Sequence, residues 1–512
     1  MNKAQQFQKE IAAHPKDVEP RLAYAEWLEQ NGEPLGEFIR VQCQLQDTDI
    51  ADQQYDDLKS RELQLLRQHN KGWGKSIRPL VRNWEYRNGL IDRVCMNAEA
   101  FLKHRQTLFK QHPIQYVELR NAYEFLDELA DCKELKKLRG LSFAFCKLGR
   151  GGTRNPIYDR VKRADPVNVA ASLRPFETFL SSPNIRKLEE LDLNGNFVGT
   201  TGVEMLVNAG FKNLRSLDLR VGQVDAQGIE MLLKFKKLEQ LQIGSCPNIS
   251  HSYDEVGIGE VPIALAKLLP QLKSLNAGSS GLSLNGLGAM NILATDSKLE
   301  SLSIERTMTH EASWTENSQT IHALRDFIGS FGNLKQLNIA SCYLSGKQYK
   351  ILGEQESEQP LFSLDLDNNN FEAKTGKLLG SLPRFKELKR LSLNGCEPLY
   401  VRIKPDRKST PTWHLCTKGF SDLLLSDALA QLSWASVRKQ TLGGRIFYKG
   451  AEYLKRFWYL DLSTNLIGDA AAKKLIEFGP WPKLALLNLR DNKLKKSTKD
   501  QLKKTFGYRV LV

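Results

Sequence analysis

The sequence predicts an α/β solenoid: a row of short parallel strands, each followed by a helix, preceded by a small and mostly helical N-terminal unit. Three observations predict it. The string Leu188-Glu-Glu-Leu191-Asp-Leu193-Asn-Gly-Asn196 has the form L-x-x-L-x-L-x-x-N, and versions of it return along most of the chain. Uninterrupted copies start 24 to 27 residues apart, as at 188, 214 and 238 and again at 334, 361 and 388. Between copies the spacing turns helical: Asn196, Val198, Gly202 and Leu206 are matched in offset by Gly222, Val224, Gly228 and Leu232. A fixed period of this length marks stacked supersecondary units, none of which buries its apolar face alone.

Each element follows from local pattern. Phe7 and Ile11 lie at helical spacing until His14-Pro15 breaks the run. Pro20 suits a helix start, and Leu22, Ala25, Trp27 and Leu28 form an apolar face closed by Asn31-Gly32. A third helix is expected from about Gly36, and Leu58, Leu63, Leu65 and Leu66 mark a fourth. Residues 89–94 read as a strand and Phe101 to Phe109 as a helix. Two weak copies of the repeat follow, at Ile114/Val117/Leu119 and Leu138/Leu141/Phe143. Strong copies continue from Leu188 to Leu388/Leu391/Leu393, then from Phe457/Leu460/Leu462 to Leu484/Leu487/Leu489. The expected division is 1–112 for the helical unit with its strand–helix linker and 113–512 for the repeats. The rhythm breaks at about 147–187, 247–262, 308–322 and 397–456, which read as insertions projecting from one face.

Two resemblances attach to these residues. Ala23-Tyr-Ala-Glu-Trp27-Leu-Glu29 with Gly32-Glu-Pro-Leu-Gly-Glu-Phe-Ile39 resembles the bacterial repeat-companion domain family, whose members commonly carry this segment ahead of leucine-rich repeats. Trp84 to Ile91 and Ala98 to Leu102 resemble the region that follows it. No established activity comes with that family. The repeats resemble the ribonuclease-inhibitor type of leucine-rich repeat, which implies a horseshoe with strands on the concave face and helices outside. Tyr24 and Trp27 themselves read as helix core.

Bulk properties bound the function. Of 512 residues, 41% are hydrophobic and 26% charged, which suits a folded chain, and no run approaches the ~18 apolar residues of a membrane helix. The first ten residues lack the apolar stretch of a secretory signal, so a cytoplasmic, non-membrane protein is expected. The net charge of +14 is concentrated: residues 397–456 carry eleven Lys/Arg against five Asp/Glu, and residues 483–512 nine against two. That distribution points to an acidic protein partner or to nucleic acid near those segments. Cys146, Cys246, Cys342 and Cys396 occupy the ninth repeat position, which turns inward to bond backbone groups; the other four cysteines form no C-x-x-C pair, so neither metal nor cofactor is expected.

In each strand the third, fifth and seventh positions face the open surface. They are small, polar and mildly acidic, with Tyr459 as the aromatic exception, which suits a solvated ladder better than a tight anchor site. The densest candidate cluster is Asp365, Asp367, Asn394 and Asp461, suited to a cation or a basic peptide. The second candidate is basic and aromatic, Arg402, Lys404, Arg407, Lys408 and Trp413, suited to phosphate and base contacts. His414 and Cys416 stand two apart without a third orienting group, so a thiol nucleophile is not assigned. Phosphate-loop, zinc-protease and serine-hydrolase motifs are lacking. The expected function is a non-enzymatic protein-interaction scaffold. One alternative is a regulator of the GTPase-activating type, whose repeat scaffold these repeats resemble, with Arg220, Arg306 or Arg490 supplying charge. The other is nucleic-acid binding through 397–456 and 483–512. Oligomeric state is not legible.

Overall fold

A computed structural model describes residues 3–149, 166–244, 260–280, 284–293, 297–306, 319–354, 360–371, 374–396, 413–425, 427–440, 442–443, 447 and 451–512. The chain divides into two compact units, residues 1–47 with 69–299 and residues 48–68 with 300–512.

The first unit opens with helices α1 (Lys3–Ala13), α2 (Glu19–Gln30) and α3 (Leu35–Gln46). Their apolar faces close around Ile11, Tyr24, Ala25, Leu28, Ile39 and Cys43. Tyr24 is core as expected, its ring stacked on Phe7 at 5.3 Å, while Trp27 packs partly buried at the same cluster. Gly36 is required here: a Cβ would come within 2.5 Å of the Ala25 carbonyl, so only glycine lets α3 lie this close to α2. Strands β1 (Asn83–Arg87) and β2 (Leu90–Asn97) form an antiparallel hairpin. Its turn residue Gly89, at φ +84°, sits where a Cβ would meet Ile39 Cα at 2.3 Å.

From β2 onward the pairing is parallel and strictly sequential: β3 (Tyr116–Arg120), β4 (Gly140–Ser142), β5 (Glu190–Asp192), β6 (Ser216–Asp218), β7 (Gln240–Gln242) and β8 (Ser274–Asn276). The register places Val94 beside Val117 and Met96 beside Leu119, so Ile91-x-x-Val94-x-Met96 is itself a repeat strand. Each strand feeds a helix or helical turn such as Gly199–Ala209, which turns Val203 and Leu206 into the core behind Leu191 and Leu193. This is a leucine-rich-repeat solenoid of the α/β class.

In the second unit the parallel strands are β9 (Ser301–Ser303), β10 (Gln336–Asn338), β11 (Ser363–Asp365), β12 (Arg390–Ser392), β13 (Trp434–Ser436), β14 (Tyr459–Asp461), β15 (Leu486–Asn488) and β16 (Val510–Leu511). Neighbours in that order pair in register. Strand β13 corrects the reading of 397–456 as one long insertion. Leu432, Ala435, Val437 and Gln440 occupy the consensus places, and Ala435 pairs with Leu391 on one side and Leu460 on the other. Gln440 performs the ninth-position role, donating from Nε2 to the Leu393 carbonyl at 2.6 Å. Alanine in a leucine place and glutamine in an asparagine place hid the copy. The other expected insertions also hold repeat helices, at Pro166–Leu180, Glu260–Leu268 and Gln319–Gly329, while residues 150–165, 247–259 and 308–318 lie outside the described set.

Residues 48–68, which include most of α4 (Tyr55–Trp73), belong to this second unit and run along the starts of its strands. Asp49 pairs with Lys335. The carbonyls of Ile50, Ala51 and Asp52 all accept from Lys389 Nζ, at 2.9, 3.1 and 2.8 Å. Asp56 accepts from Ser433 Oγ at 2.6 Å and from Trp458 Nε1 at 3.2 Å. Ser60 and Gln64 donate to the carbonyls of Lys483 and Leu484, and Arg67 donates to that of Tyr508. The helix thus satisfies backbone and side-chain groups at strand starts that would otherwise face only water.

Two further devices end each strand. The eighth repeat position is left-handed in the described copies from β3 onward, from Asn121 and Phe145 through Val221 and Ser341 to Asp491. Its N–H donates to the seventh-position carbonyl of the next repeat, as from Phe145 to Asn194 at 2.8 Å and from Ser341 to Asp367 at 2.7 Å. The ninth position turns inward, as expected. Asn196 Nδ2 donates to the Phe143 and Leu193 carbonyls, both at 2.9 Å, while its Oδ1 accepts from Leu148 N–H at 3.0 Å. Cys146 and Cys396 donate their thiols to the carbonyls of Leu119 and Leu366, each at 3.2 Å, and Cys342 to that of Ile304 at 3.5 Å. Cys246 lies outside the described residues.

Candidate functional site

Short polar residues at the fifth repeat position do more than keep the strands wetted. Asp192, Asp218 and Asn276 each accept, through Oδ1, the backbone N–H two residues on, at 2.9 to 3.0 Å. Asn338, Asp365 and Asp461 do the same at 2.9 Å. Asp and Asn supply this local bond because their side chains reach a backbone N–H at i+2. Much of the polar concave face is therefore committed to closing its own strands.

In the first unit, a cavity of about 670 Å³ opens over these strands. Its floor is Tyr116, Glu190, Asp192, Ser216, Asp218 and Gln242, and its rim includes Lys16, Arg87, Arg139, Glu189, Arg215 and Glu239. Four of these rim residues, Arg139, Glu189, Arg215 and Glu239, stand at the second repeat position, just after the first leucine. There the charges alternate along the sheet: Arg139, Glu189, Arg215, Glu239, Lys273. Neighbouring strands stand ~4.8 Å apart, so alternating signs meet across each step. Arg139 pairs with Glu189, Arg215 with Glu239 at 3.0 Å, and Lys273 with Glu239 at 3.7 Å. Lys16, brought in just after α1, adds a second contact to Glu189 at 2.8 Å.

Deeper, Glu190 holds two arginines at once, Arg87 and Arg93, each at 2.9 Å. The Arg93 guanidinium lies 3.6 Å over the Tyr116 ring, a cation–π contact that fixes its plane. Burial pushes the Asp192 carboxyl up from its ordinary value, and the Asp218 charge adds to the shift. Ser142 Oγ donates to Asp192 at 2.8 Å, and Arg220 is folded back onto Asp218 at 2.6 Å. Burial pushes Glu189 up, and the hydrogen bonds of Arg139 and Lys16 reverse that, leaving it below the usual carboxylate range. Beneath them Asp92 is pushed up to about 6 by burial, against the pull of Arg87 and Arg21.

The sequence-predicted residues fall as follows. Asp365, Asp367 and Asn394 come together on β11 and β12. Asp367 accepts from Ser392 Oγ at 2.6 Å and from the Asn394 amide N–H and Nδ2 at 2.7 and 2.9 Å. Burial lifts Asp365 to about 7, and the Asp367 charge beside it adds to this. Asp461 does not join them. It lies two strands further, on β14, where it accepts from Asn488 Nδ2 at 3.0 Å and stands 4.0 Å from Arg438. Among the described residues no three His, Cys, Asp or Glu side chains stand in a metal-ligand arrangement. Arg402, Lys404, Arg407 and Lys408 lie outside the described residues; Trp413 begins the helix Trp413–Leu424, and its side chain lies outside them too. The C-terminal lysines sit on the helix Lys496–Phe506, with Lys496, Lys503 and Lys504 exposed.

Of the cavity's charged residues, Arg220 alone was named from sequence as a candidate, and for a different role. Arg87 and Arg93 lie before the first recognised repeat, and Lys16 lies in the helical segment. The second-position alternation was readable: Arg139, Glu189, Arg215, Glu239 and Lys273 each follow a consensus leucine.

Fold and repeat geometry define a leucine-rich-repeat protein, and among the described residues no helix is long and apolar enough to cross a membrane. No protein-family profile matches the sequence, and no curated protein matches it significantly. Among solved structures the chain is similar to the Rad7–Elc1 complex of yeast, at 15% identity over 78% of this chain and 89% of that chain, with a TM-score of 0.47. It is similar to the leucine-rich-repeat protein LegL7 of Legionella pneumophila, at 15% identity over 61% and 91%, with a TM-score of 0.38. An internalin of Listeria monocytogenes, InlF, matches at 15% identity over 75% and 93%, with a TM-score of 0.34. These likenesses concern the backbone course and carry nothing about function.

Proposed function

We propose that this chain is a non-enzymatic protein-interaction scaffold, and that the charged cavity over β3–β7 is its principal docking site. The observation that carries the reading is the cavity's ion-pair lattice. Charged side chains there are already held in place by one another, so a partner does not have to order them on binding. The basic segments 397–456 and 483–512 provide a second contact region for acidic surface, by their charge. The helical segment within 1–112 acts in this reading as a repeat-companion domain of bacterial type, and the protein works in the cytoplasm. Site-specific photo-crosslinking tests the main claim. A crosslinker at Ser216 or Gln240 is expected to capture a discrete partner from lysate, and the charge reversal Arg215→Glu is expected to abolish that product. Capture that is equal from the cavity and from the opposite, helical face at Glu204 would overturn it.

A further inference from the structure

We propose that the cavity is a receptor for a phosphorylated peptide segment. The phosphoryl group would sit among Lys16, Arg87, Arg93 and Arg139, and a basic side chain two to three residues along the peptide would meet Asp192 and Asp218. This rests on the docking reading above and names its ligand.

The arginines are held but not used up. A guanidinium carries five N–H donors in a planar fork. Arg87 reaches Glu190 through Nη1 alone, and Arg139 reaches Glu189 through Nη2 alone, while the Arg139 Nε is buried without a partner. Arg93 gives Nη2 to Glu190 and stands 3.5 Å from Glu85, which lies outside the cavity lining. Glu190 and the Tyr116 ring set the arginine planes, and Glu189 sets Lys16 and Arg139. Donor edges therefore remain, in fixed orientation, around one end of the cavity.

The local charge balance selects the ligand. Four cations at this end face two lining carboxylates, Glu189 and Glu190, with Glu85 behind Arg93 at 3.5 Å, which leaves an excess of positive charge. A phosphoserine or phosphothreonine carries close to two negative charges and three acceptor oxygens, whereas a glutamate carries one charge and two oxygens. At the other end the balance reverses, with Asp192, Asp218 and Glu239 against Arg215 and Arg220. An extended polyanion such as single-stranded nucleic acid would be repelled there. A peptide with one phosphate and one Lys or Arg satisfies both ends. Arg87 and Arg93 meet Glu190 on β5; Asp192 lies two residues further on that strand and Asp218 one strand step beyond, about 7–8 Å away, which is two to three residues of extended chain.

The test uses the full chain and fluorescein-labelled ten-residue peptides in an Ala/Ser/Gly background, read by anisotropy. Phosphoserine followed by Arg three residues along is expected to bind at least tenfold tighter than the serine and glutamate peptides. Replacing that Arg by Glu is expected to weaken binding severalfold. Arg87→Gln with Arg93→Gln is expected to remove the phosphate preference. Lys16→Gln, at a site whose side chain is 60% exposed, is expected to weaken it without disturbing the fold. Equal binding of serine and phosphoserine peptides, a preference unchanged in Lys16→Gln, or equal binding of a single-stranded oligonucleotide would overturn the proposal. If crosslinking at Ser216 still captures a partner while phosphopeptides fail, this ligand is wrong and the docking site stands; if both fail, both are wrong.

Discussion

Asn465→Ala isolates what the ninth repeat position contributes. The side chain is 4% exposed and bridges two repeats. Its Oδ1 accepts the amide N–H groups of Gln440 at 2.9 Å and Leu442 at 3.2 Å, and its Nδ2 donates to the carbonyls of Val437 at 2.8 Å and Leu462 at 3.0 Å. Each such bond is worth about 1 kcal/mol net, and groups left buried without partners cost more. Four bonds set the expected loss at about 3–5 kcal/mol. Cys396→Ala makes the contrast, since its thiol donates to the carbonyls of Leu366 at 3.2 Å and Asn394 at 3.9 Å, and the expected loss is about 1 kcal/mol. Because stacked repeats need not unfold in one step, the primary assay is amide exchange followed by mass spectrometry. The Gln440 and Leu442 amides are expected to exchange on the order of a hundredfold faster in Asn465→Ala, with a lowered urea midpoint. Unchanged exchange at those amides, with a stability loss below about 1 kcal/mol, would refute the assignment of repeat stacking to this side chain.

Val221 is β-branched and left-handed, at φ +63°, where branching is strongly disfavoured; Val221→Gly is expected to raise thermal stability by about 1 kcal/mol, and a lowered melting temperature would show that its contacts outweigh the strain. Lys389→Met keeps the stem but leaves the Ile50, Ala51 and Asp52 carbonyls without their ammonium donor, at an expected cost of about 2–4 kcal/mol; limited proteolysis should then cut first within 48–54, and an unchanged cleavage pattern would count against residues 48–68 bracing the second unit. Asp365 holds its proton more tightly in the folded chain, at about 7, than in the unfolded chain, so its contribution to stability is present below about pH 4 and lost as pH rises through 7. Asp365→Asn keeps the amide-accepting oxygen and removes that loss; urea midpoints are expected to diverge in its favour between pH 5 and 8, and parallel curves would refute the cause.

The repeating parts were legible because they obey a fixed period. Helices α1 to α4, the strand read at 89–94 and found at 90–97, and the inward turn of Cys146, Cys342 and Cys396 follow from apolar spacing, Pro and Gly punctuation, or position in the repeat. What escaped did so for definable reasons. Strand β13 carries Ala435 and Gln440 in places where Leu and Asn announce a repeat, and packing in register supplied what the residues did not. Strand β2 was read as a strand but not as a repeat, since Ile91, Val94 and Met96 replace every leucine. Of the candidates named around Asp365, Asp367 and Asn394 meet it on adjacent strands, whereas Asp461 is two strands away, because the repeat hidden at β13 stands between. The cavity depends on Lys16, Arg87 and Arg93 meeting Glu189 and Glu190 across more than ninety residues of sequence, and no local pattern encodes that.

The second repeat position has two fates in this chain, and the contrast bears on function. In the second unit it reads Glu300, Lys335, Phe362, Lys389, Ser433, Trp458 and Ala485, with one carboxylate, Glu300, 3.5 Å from Lys335 at the start of the row and donors or apolar surface after it, and residues 48–68 lie along that later part. Their aspartates and free carbonyls are what such a row can hold. In the first unit it reads Arg139, Glu189, Arg215, Glu239 and Lys273, where each charge has an opposite neighbour, and there the row borders an open cavity. A self-compensated row gains little from a uniformly acidic segment, since every new attraction is matched by a repulsion one strand away. In the docking proposed above it would discriminate by pattern, favouring a segment whose charges alternate along its length. The same repeat position thus fastens the protein's own chain in one unit, and in the other is suited to select among foreign ones.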